Sequence, residues 1–233
     1  MPAYNVSHLI GDVFSRIPKN VLRKTDTIIV VNDGSSDETS QIVKKLSKKY
    51  KKIHFIDKKI NEGYAKAQKT GFSYALKMGA DIVVLLHGDG QYAPEELPKL
   101  LLPLEKEEAD VVQGSRILGG GALKGNMPLY KYIANRTLST LENIIYGIHV
   151  TEFHSGYMLY SRKALTTIPF LKLSNTFHFD GEMIFMTFKK GLRFKELAIP
   201  TRYTTEKSNV KNIPYGFHVL KIMLDYKRGK YNF

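Results

Sequence analysis

The sequence predicts an α/β protein with a mostly parallel twisted sheet and helices on both faces, and three observations carry that prediction. Short apolar runs rich in branched side chains alternate with stretches of helical periodicity, as strand and helix three times over and then a strand, between Thr27 and Gln113. Ile82 to Leu86 is an unbroken apolar run too short for a free helix, which reads as a strand buried on both faces. It stops at His87, Gly88, Asp89, Gly90 and Gln91, and the crevice beyond the carboxyl ends of such strands is where α/β proteins bind ligands.

The elements follow in order. Val6, Leu9, Ile10, Val13, Phe14 and Ile17 step at helical spacing, and Pro18 ends that helix. Thr27 to Val31 is a buried strand running into NDGSSDET at 32–39, where Ser35, Ser36 and Asp37 supply a helix cap. The next helix buries Ile42, Val43 and Leu46, and its lysine-rich face reads as a solvated surface. Ile53 to Ile56 is a short strand, and NEGYAKAQKTGF at 61–72 opens a helix that stops near Gly79. After the run at Ile82, Pro94, Glu95 and Glu96 open a helix to about Lys106, with proline in its first turn and acids at its positive end. A strand from Asp110 to Gln113 follows.

The second half is less regular. Ser115 to Pro128 holds glycines at 119–121 and 125, too many for the interior of an element, and predicts a mobile functional loop. A helix from about Leu129 to Tyr146, an edge-type strand from Phe153 to Tyr160, a short helix at Arg162–Thr167, a helix within 178–191 and a last strand at Phe194–Ile199 complete the pattern. In the tail, Phe217, Leu220 and Leu224 share one stripe beside Lys221 and Arg228, a stripe that could pack on the core or lie on a membrane surface, with packing the expected outcome.

With 233 residues the chain is long enough to bury a sizeable core, and without cysteine it has neither disulfides nor thiolate metal sites. No run approaches the ~20 apolar residues of a membrane span, so a cytoplasmic location is expected. A formal charge of +13 favours anionic partners. Nucleic acid is the weakest of these, because no zinc finger, basic zipper or aromatic RNA-binding signature is present. A nucleotidyltransferase would want an early glycine-rich, basic phosphate loop, and there is none.

PAYN, NDGSSDET, NEG, the aspartate after the third strand, GSR, SGYMLYS, HFDGEM and TRYTTEKS occur in the order seen in inverting glycosyltransferase family 2. The chain resembles above all the branch containing dolichyl-phosphate mannose synthase and other polyprenyl-phosphate sugar transferases. That resemblance implies an A-type glycosyltransferase fold. It implies a single catalytic domain over 1–233, with a nucleotide-sugar half at 1–115, an acceptor half at 116–210 and an amphipathic C-terminal helix at 211–233. The implied donor is a nucleotide diphosphate sugar, bound with Mg2+ or Mn2+ through Asp89, Gln91 and His87. Pro2, Ala3, Tyr4, Asn5, Asp33, Gly63, Lys66, His87 and Gly88 fall at its donor-binding positions, with Asp33 at the acid that contacts the nucleoside.

The chain departs from the pattern at four places: His87 replaces the first acid of DXD, Val6 a glutamate, Ala65 a frequent glycine and Met158 an arginine. Relatives also carry a hydrophobic strand before the PAYN segment, so either the sheet lacks that strand here or the start has been trimmed.

The chemistry sets requirements of its own. Breaking a glycosyl phosphate bond develops negative charge on the diphosphate, so positive charge must stand there beforehand. An imidazole ligand at His87 would tilt the preference toward manganese, since imidazole is the softer donor; the alternative is that His87 bonds neighbouring backbone and never meets metal. Arg116 follows a strand end, where its fork suits phosphate, and Arg202, Lys207 and Ser208 join it by resemblance as acceptor or phosphate contacts. A hydroxyl acceptor needs a base, for which Asp180 leads, then Glu182 and Glu152; a lipid phosphate is already ionised and needs only positioning. The acceptor is therefore expected to be a polyprenyl phosphate, with the enzyme peripheral on the inner membrane face. A saccharide hydroxyl, or a non-catalytic nucleotide-binding protein on the same fold, are the alternatives.

Overall fold

A computed structural model describes residues 1–200 and 212–233, with side chains from 214 onward in the second segment. The expected phosphate contacts Arg202, Lys207 and Ser208 lie outside the described residues.

The first half follows the sequence pattern. Strand β1 (Pro2–Ala3) leads to α1 (Ile10–Arg16), which buries Ile10, Val13 and Phe14. Pro18 does end this helix, but it also starts a further one, α2 (Lys19–Lys24), accepting a hydrogen bond from the Leu22 amide. A proline is favoured where a helix begins because no amide hydrogen is required of it there. Then come β2 (Ile28–Asp33), α3 (Thr39–Lys49), β3 (Ile53–Lys58), α4 (Tyr64–Lys77), β4 (Ile82–Val84), α5 (Leu97–Glu105) and β5 (Val111–Ser115).

Strands β1, β2 and β3 form a parallel sheet in that order, with Pro2 opposite Val31 and Ala3 opposite Asn32. The Gly88 amide donates to the Pro2 carbonyl at 3.2 Å and so ties the end of β4 to β1. Because β1 pairs only with the carboxyl half of β2, a cavity of about 410 Å³ remains between β2 and β4, walled by Ile28, Ile29, Val83, Val84, Phe72 and Leu101. This corrects the expectation of a central strand buried on both faces: Ile82 to Val84 are half-buried, and only Leu85 and Leu86 are closed off.

In the second half, α6 (Gly121–Lys124) and a 3-10 turn at Leu118–Gly120 occupy the glycine-rich stretch, where the sequence predicts a mobile functional loop without elements of its own. Next are α7 (Leu129–Tyr146), β6 (Met158–Ser161), α8 (Arg162–Thr167), α9 (Phe179–Lys189), β7 (Phe194–Ala198) and α10 (Asn212–Lys227). The second sheet runs β4-β6-β5-β7, with β6 antiparallel to both neighbours and β7 parallel to β5. The segment expected at an edge therefore lies inside the sheet, where Met158, Leu159 and Tyr160 are fully buried. In the tail it is Val219, Ile222 and Met223 that pack, while Phe217, Leu220 and Leu224 face outward, the reverse of the expected orientation.

Candidate active site

The donor-side residues collect where β1, β2 and β4 end. Asp33 closes β2, is 3% exposed, and accepts hydrogen bonds from the amides of Glu62 (3.2 Å) and Gly63 (2.8 Å), with Lys58 at 3.5 Å. It fixes the turn that opens α4, where Gly63 has φ 97° and Lys66 lies exposed beside Glu62. Gly34 next to it has φ 69°, and a Cβ there would come within 2.5 Å of the Asn61 amide nitrogen.

Asn5 bridges to the 35–37 turn: its amide donates to Ser35 Oγ and its side-chain oxygen accepts from the Ser36 amide, both at 2.9 Å. Pro2 and Ala3 serve as strand, and Tyr4 is left 38% exposed at the rim. Gly88 is buried against β1, and Asp89 stands half-buried on the following turn, with one oxygen accepting the Gln91 amide at 3.1 Å and Gln91 itself exposed.

His87 is engaged elsewhere. Its Nε2 lies 3.1 Å from the Tyr64 hydroxyl, Tyr92 packs edge-on against its ring at 4.9 Å, and the Gly156 backbone also bonds it. Burial pushes its pKa down, the nearby Asp89 opposing. The metal-ligand expectation for His87 thus competes with a geometry in which the imidazole serves Tyr64.

Tyr64 donates to Asp180 Oδ2 at 2.6 Å, so one hydroxyl joins His87, expected on the donor side, to Asp180, expected near the acceptor. Burial raises the Asp180 carboxyl to about 6, against the hydrogen bond from Tyr64, the neighbouring Gln68 amide and the charge of His178, which pull it down. The three side chains meet over Gly156, where a Cβ would fall 2.6 Å from the Tyr64 hydroxyl and 2.9 Å from Asp180 Oδ2. Phe177 stacks on Tyr64 at 5.5 Å.

The other acids proposed as bases are occupied. Glu182 is fully buried and accepts from the Ser174 amide (3.1 Å) and the Tyr231 hydroxyl (2.7 Å). Glu152, also fully buried, holds the Arg116 amide (2.9 Å), the Arg116 guanidinium (3.0 Å from Nε) and Asn135 of α7 (2.8 Å). Arg116, expected to grip phosphate, directs its fork to Glu152 and the His154 carbonyl.

A further buried network is built on Glu142 of α7. Its two carboxylate oxygens lie 2.8 Å from His178 Nε2 and 3.2 Å from His154 Nε2, while the Tyr215 hydroxyl meets His154 Nδ1 at 2.7 Å and His178 Nδ1 at 3.1 Å. Burial takes His154 down to about 4, partly opposed by Glu142. For His178 burial acts in the same sense, but the carboxylates facing it lift its pKa above the usual range.

Sequence reasoning missed Tyr64, Tyr92, Gly156 and this network; only Tyr64 had a local signal, its place at the first turn after NEG.

Among the described residues no group of three or more His, Asp or Glu side chains gathers to hold a metal by itself. Asp89 and Gln91 would need substrate oxygens to complete a shell, which is how Mg2+-type ions commonly bind beside phosphates.

The sequence model described as Glycosyl transferase family 2 matches residues 1–168. UDP-N-acetylglucosamine–dolichyl-phosphate N-acetylglucosaminyltransferase of Methanococcus voltae is 31% identical, over 99% of this chain and 95% of its own. Polyprenol monophosphomannose synthase of Mycolicibacterium smegmatis is 27% identical, over 80% and 69%. Glucosyl-3-phosphoglycerate synthase from Mycobacterium tuberculosis, solved with Mn2+, UDP and glucosyl-3-phosphoglycerate, superposes with a TM-score of 0.70 at 20% identity, covering 98% of this chain and 78% of that one. That likeness is one of fold.

Proposed function

The chain belongs to glycosyl transferase family 2, and from that premise we propose that it moves a sugar from a nucleotide diphosphate sugar to a polyprenyl phosphate, with a divalent cation at Asp89. The observation that carries this reading is the Gly88–Pro2 hydrogen bond, which sets the Asp89 turn beside the Asp33 turn at neighbouring strand ends. Relatives named for dolichyl-phosphate and polyprenol acceptors support the lipid, and the fold neighbour holding Mn2+ and UDP supports the ion and the donor.

The acceptor oxygen attacks the anomeric carbon, the bond from that carbon to the diphosphate oxygen breaks, and its electron pair leaves with the nucleoside diphosphate, inverting the centre. The Asp89 carboxylate and the Gln91 amide would hold a divalent cation, which when bound would supply positive charge for the departing diphosphate. With His87 turned to Tyr64, the reason to favour manganese over magnesium loses its donor. Asp33 acts by holding the Gly63 turn against the donor. Arg116 sets the acceptor wall through Glu152, while phosphate contact by Arg202, Lys207 and Ser208 rests on the resemblance alone.

One observation favours the second acceptor. An Asp180 pKa near 6 suits a base that takes a proton from a saccharide hydroxyl.

The test uses labelled nucleotide sugars with polyprenyl phosphate. Label should move into organic solvent only with Mg2+ or Mn2+, and Asp89→Ala should lower the rate at least about 1,000-fold with an unchanged melting temperature. Metal-independent transfer would overturn the reading, and label found only on water-soluble saccharide would establish the second acceptor.

A further inference from the structure

Helix α7 is built inside out. Its buried positions are Asn135, Ser139, Glu142 and Tyr146, while Leu129, Tyr130, Ile133 and Ile144 are between 55% and 71% exposed. A surface helix ordinarily turns its apolar stripe to the core.

Helix α10 packs beside it, Tyr226 meeting Tyr146 edge-on at 4.7 Å, and adds Phe217 (68% exposed), Leu220 and Leu224 to the outer surface. Exposed basic side chains accompany these: Arg136 on α7, Lys227 and Arg228 at the end of α10. The acids do not balance them. Across both helices the acids are Glu142, fully buried, and Asp225, paired with Lys221 (2.8 Å) and Lys230 (2.7 Å).

We infer that the outer face of α7 and α10 docks on an anionic lipid bilayer. The charge selects this occupant. An apolar stripe with cations and no uncompensated acid complements a negative headgroup layer, whereas a second copy of a +13 chain would bring the same sign to the contact.

Docking has a consequence for the site, and here the inference rests on the lipid-acceptor reading. The inner face of the docking helix carries Asn135, bonded to Glu152, and Ser139, bonded to the Phe153 amide. The helix seated in the headgroups thus holds the Arg116–Glu152 wall directly, and an acceptor anchored in the same bilayer arrives at that wall. A soluble acceptor needs no such face.

The experiment is flotation with phosphatidylcholine vesicles, pure or containing 30% phosphatidylglycerol, on the whole chain and on the exposed triple variant Ile133→Ser, Ile144→Ser, Phe217→Ser. Partitioning of the wild type should be at least tenfold stronger on the anionic vesicles and fall as salt rises. The triple variant should lose at least tenfold of it while keeping its melting temperature and its affinity for nucleotide diphosphate. Equal binding to both vesicles, or an undiminished triple variant, overturns the inference, as does a wild-type dimer that these substitutions dissociate. Nucleotide affinity is read separately, so its absence would count against the transferase reading and leave flotation to decide the docking face.

Discussion

The two sides of the site, proposed to meet donor and acceptor, are built by different means. On the proposed donor side, backbone does most of the work: Asp33 holds two amides, Asn5 caps a turn, and Gly88 bonds Pro2, all near the ends of β1, β2 and β4. On the proposed acceptor side, buried titratable groups do it: Glu152 with Arg116, Glu142 with two histidines, and Asp180 with Tyr64. A wall of backbone hydrogen bonds tolerates changes in pH and charge. A wall of buried titratable groups does not, because each charge lacks water and depends on its partner. Acceptor-side substitutions should therefore register in stability as well as in rate.

The largest such effect is expected at Glu152. Glu152→Gln keeps the shape but takes the Glu152 charge away from the Arg116 guanidinium, which is 12% exposed. Breaking a buried pair on one side costs about 3–5 kcal/mol, so denaturant unfolding should show a loss of that order. A loss below ~1 kcal/mol would mean that the acceptor wall does not depend on this pair.

Asp180 should act in the opposite direction. Its carboxyl titrates near 6 in the fold, against 3.8 as its ordinary value. The folded state therefore holds the proton more tightly than the unfolded one, and ionisation lowers stability as pH rises from about 4 to about 6 and fully above that. Asp180→Asn removes the charge, so it should stabilise the protein by about 2–3 kcal/mol at pH 7.5 and give no gain at pH 4. Melting curves at the two pH values check this, and an equal effect at both would contradict the titration. If a hydroxyl is the acceptor, the same variant loses transfer by about 100-fold or more; with a lipid phosphate the loss stays small.

The same contrast explains what the sequence made legible. The donor side lies in contiguous strings, since a strand end, a cap and a helix start follow one another within NDGSSDET or HGDGQYAPEE, and local rules read them. Asp180 was legible as a helix-start acid, but its partner Tyr64 lies 116 residues away, and no local rule joins them. Glu142 was worse hidden, since a glutamate amid Leu141, Ile144 and Ile145 reads as the solvated face of a helix. The reading fails because Leu141 and Ile144 face outward, while Glu142 is fully buried. The outward tail stripe misled for the same reason: periodicity finds a stripe, but not the side on which it is covered. The internal place of β6 was lost too, because an antiparallel strand inserted between β4 and β5 is a matter of topology.

Tyr64→Phe gives the smallest effect and the sharpest separation of the two sides. The ring remains to stack on Phe177, while the hydroxyl that donates to Asp180 is removed. At neutral pH this bond reaches an ionised carboxylate, so its loss should cost about 1.5 kcal/mol. That bond favours the ionised carboxylate, so without it the Asp180 pKa moves further above 6. If Asp180 must be ionised for transfer, the acidic limb of the pH–rate profile shifts to higher pH in Tyr64→Phe, while donor affinity at pH 8 stays near wild type. An unmoved limb with a lowered rate would assign Tyr64 to the donor side through His87 instead, and the hydroxyl between the two halves would then belong to one of them only.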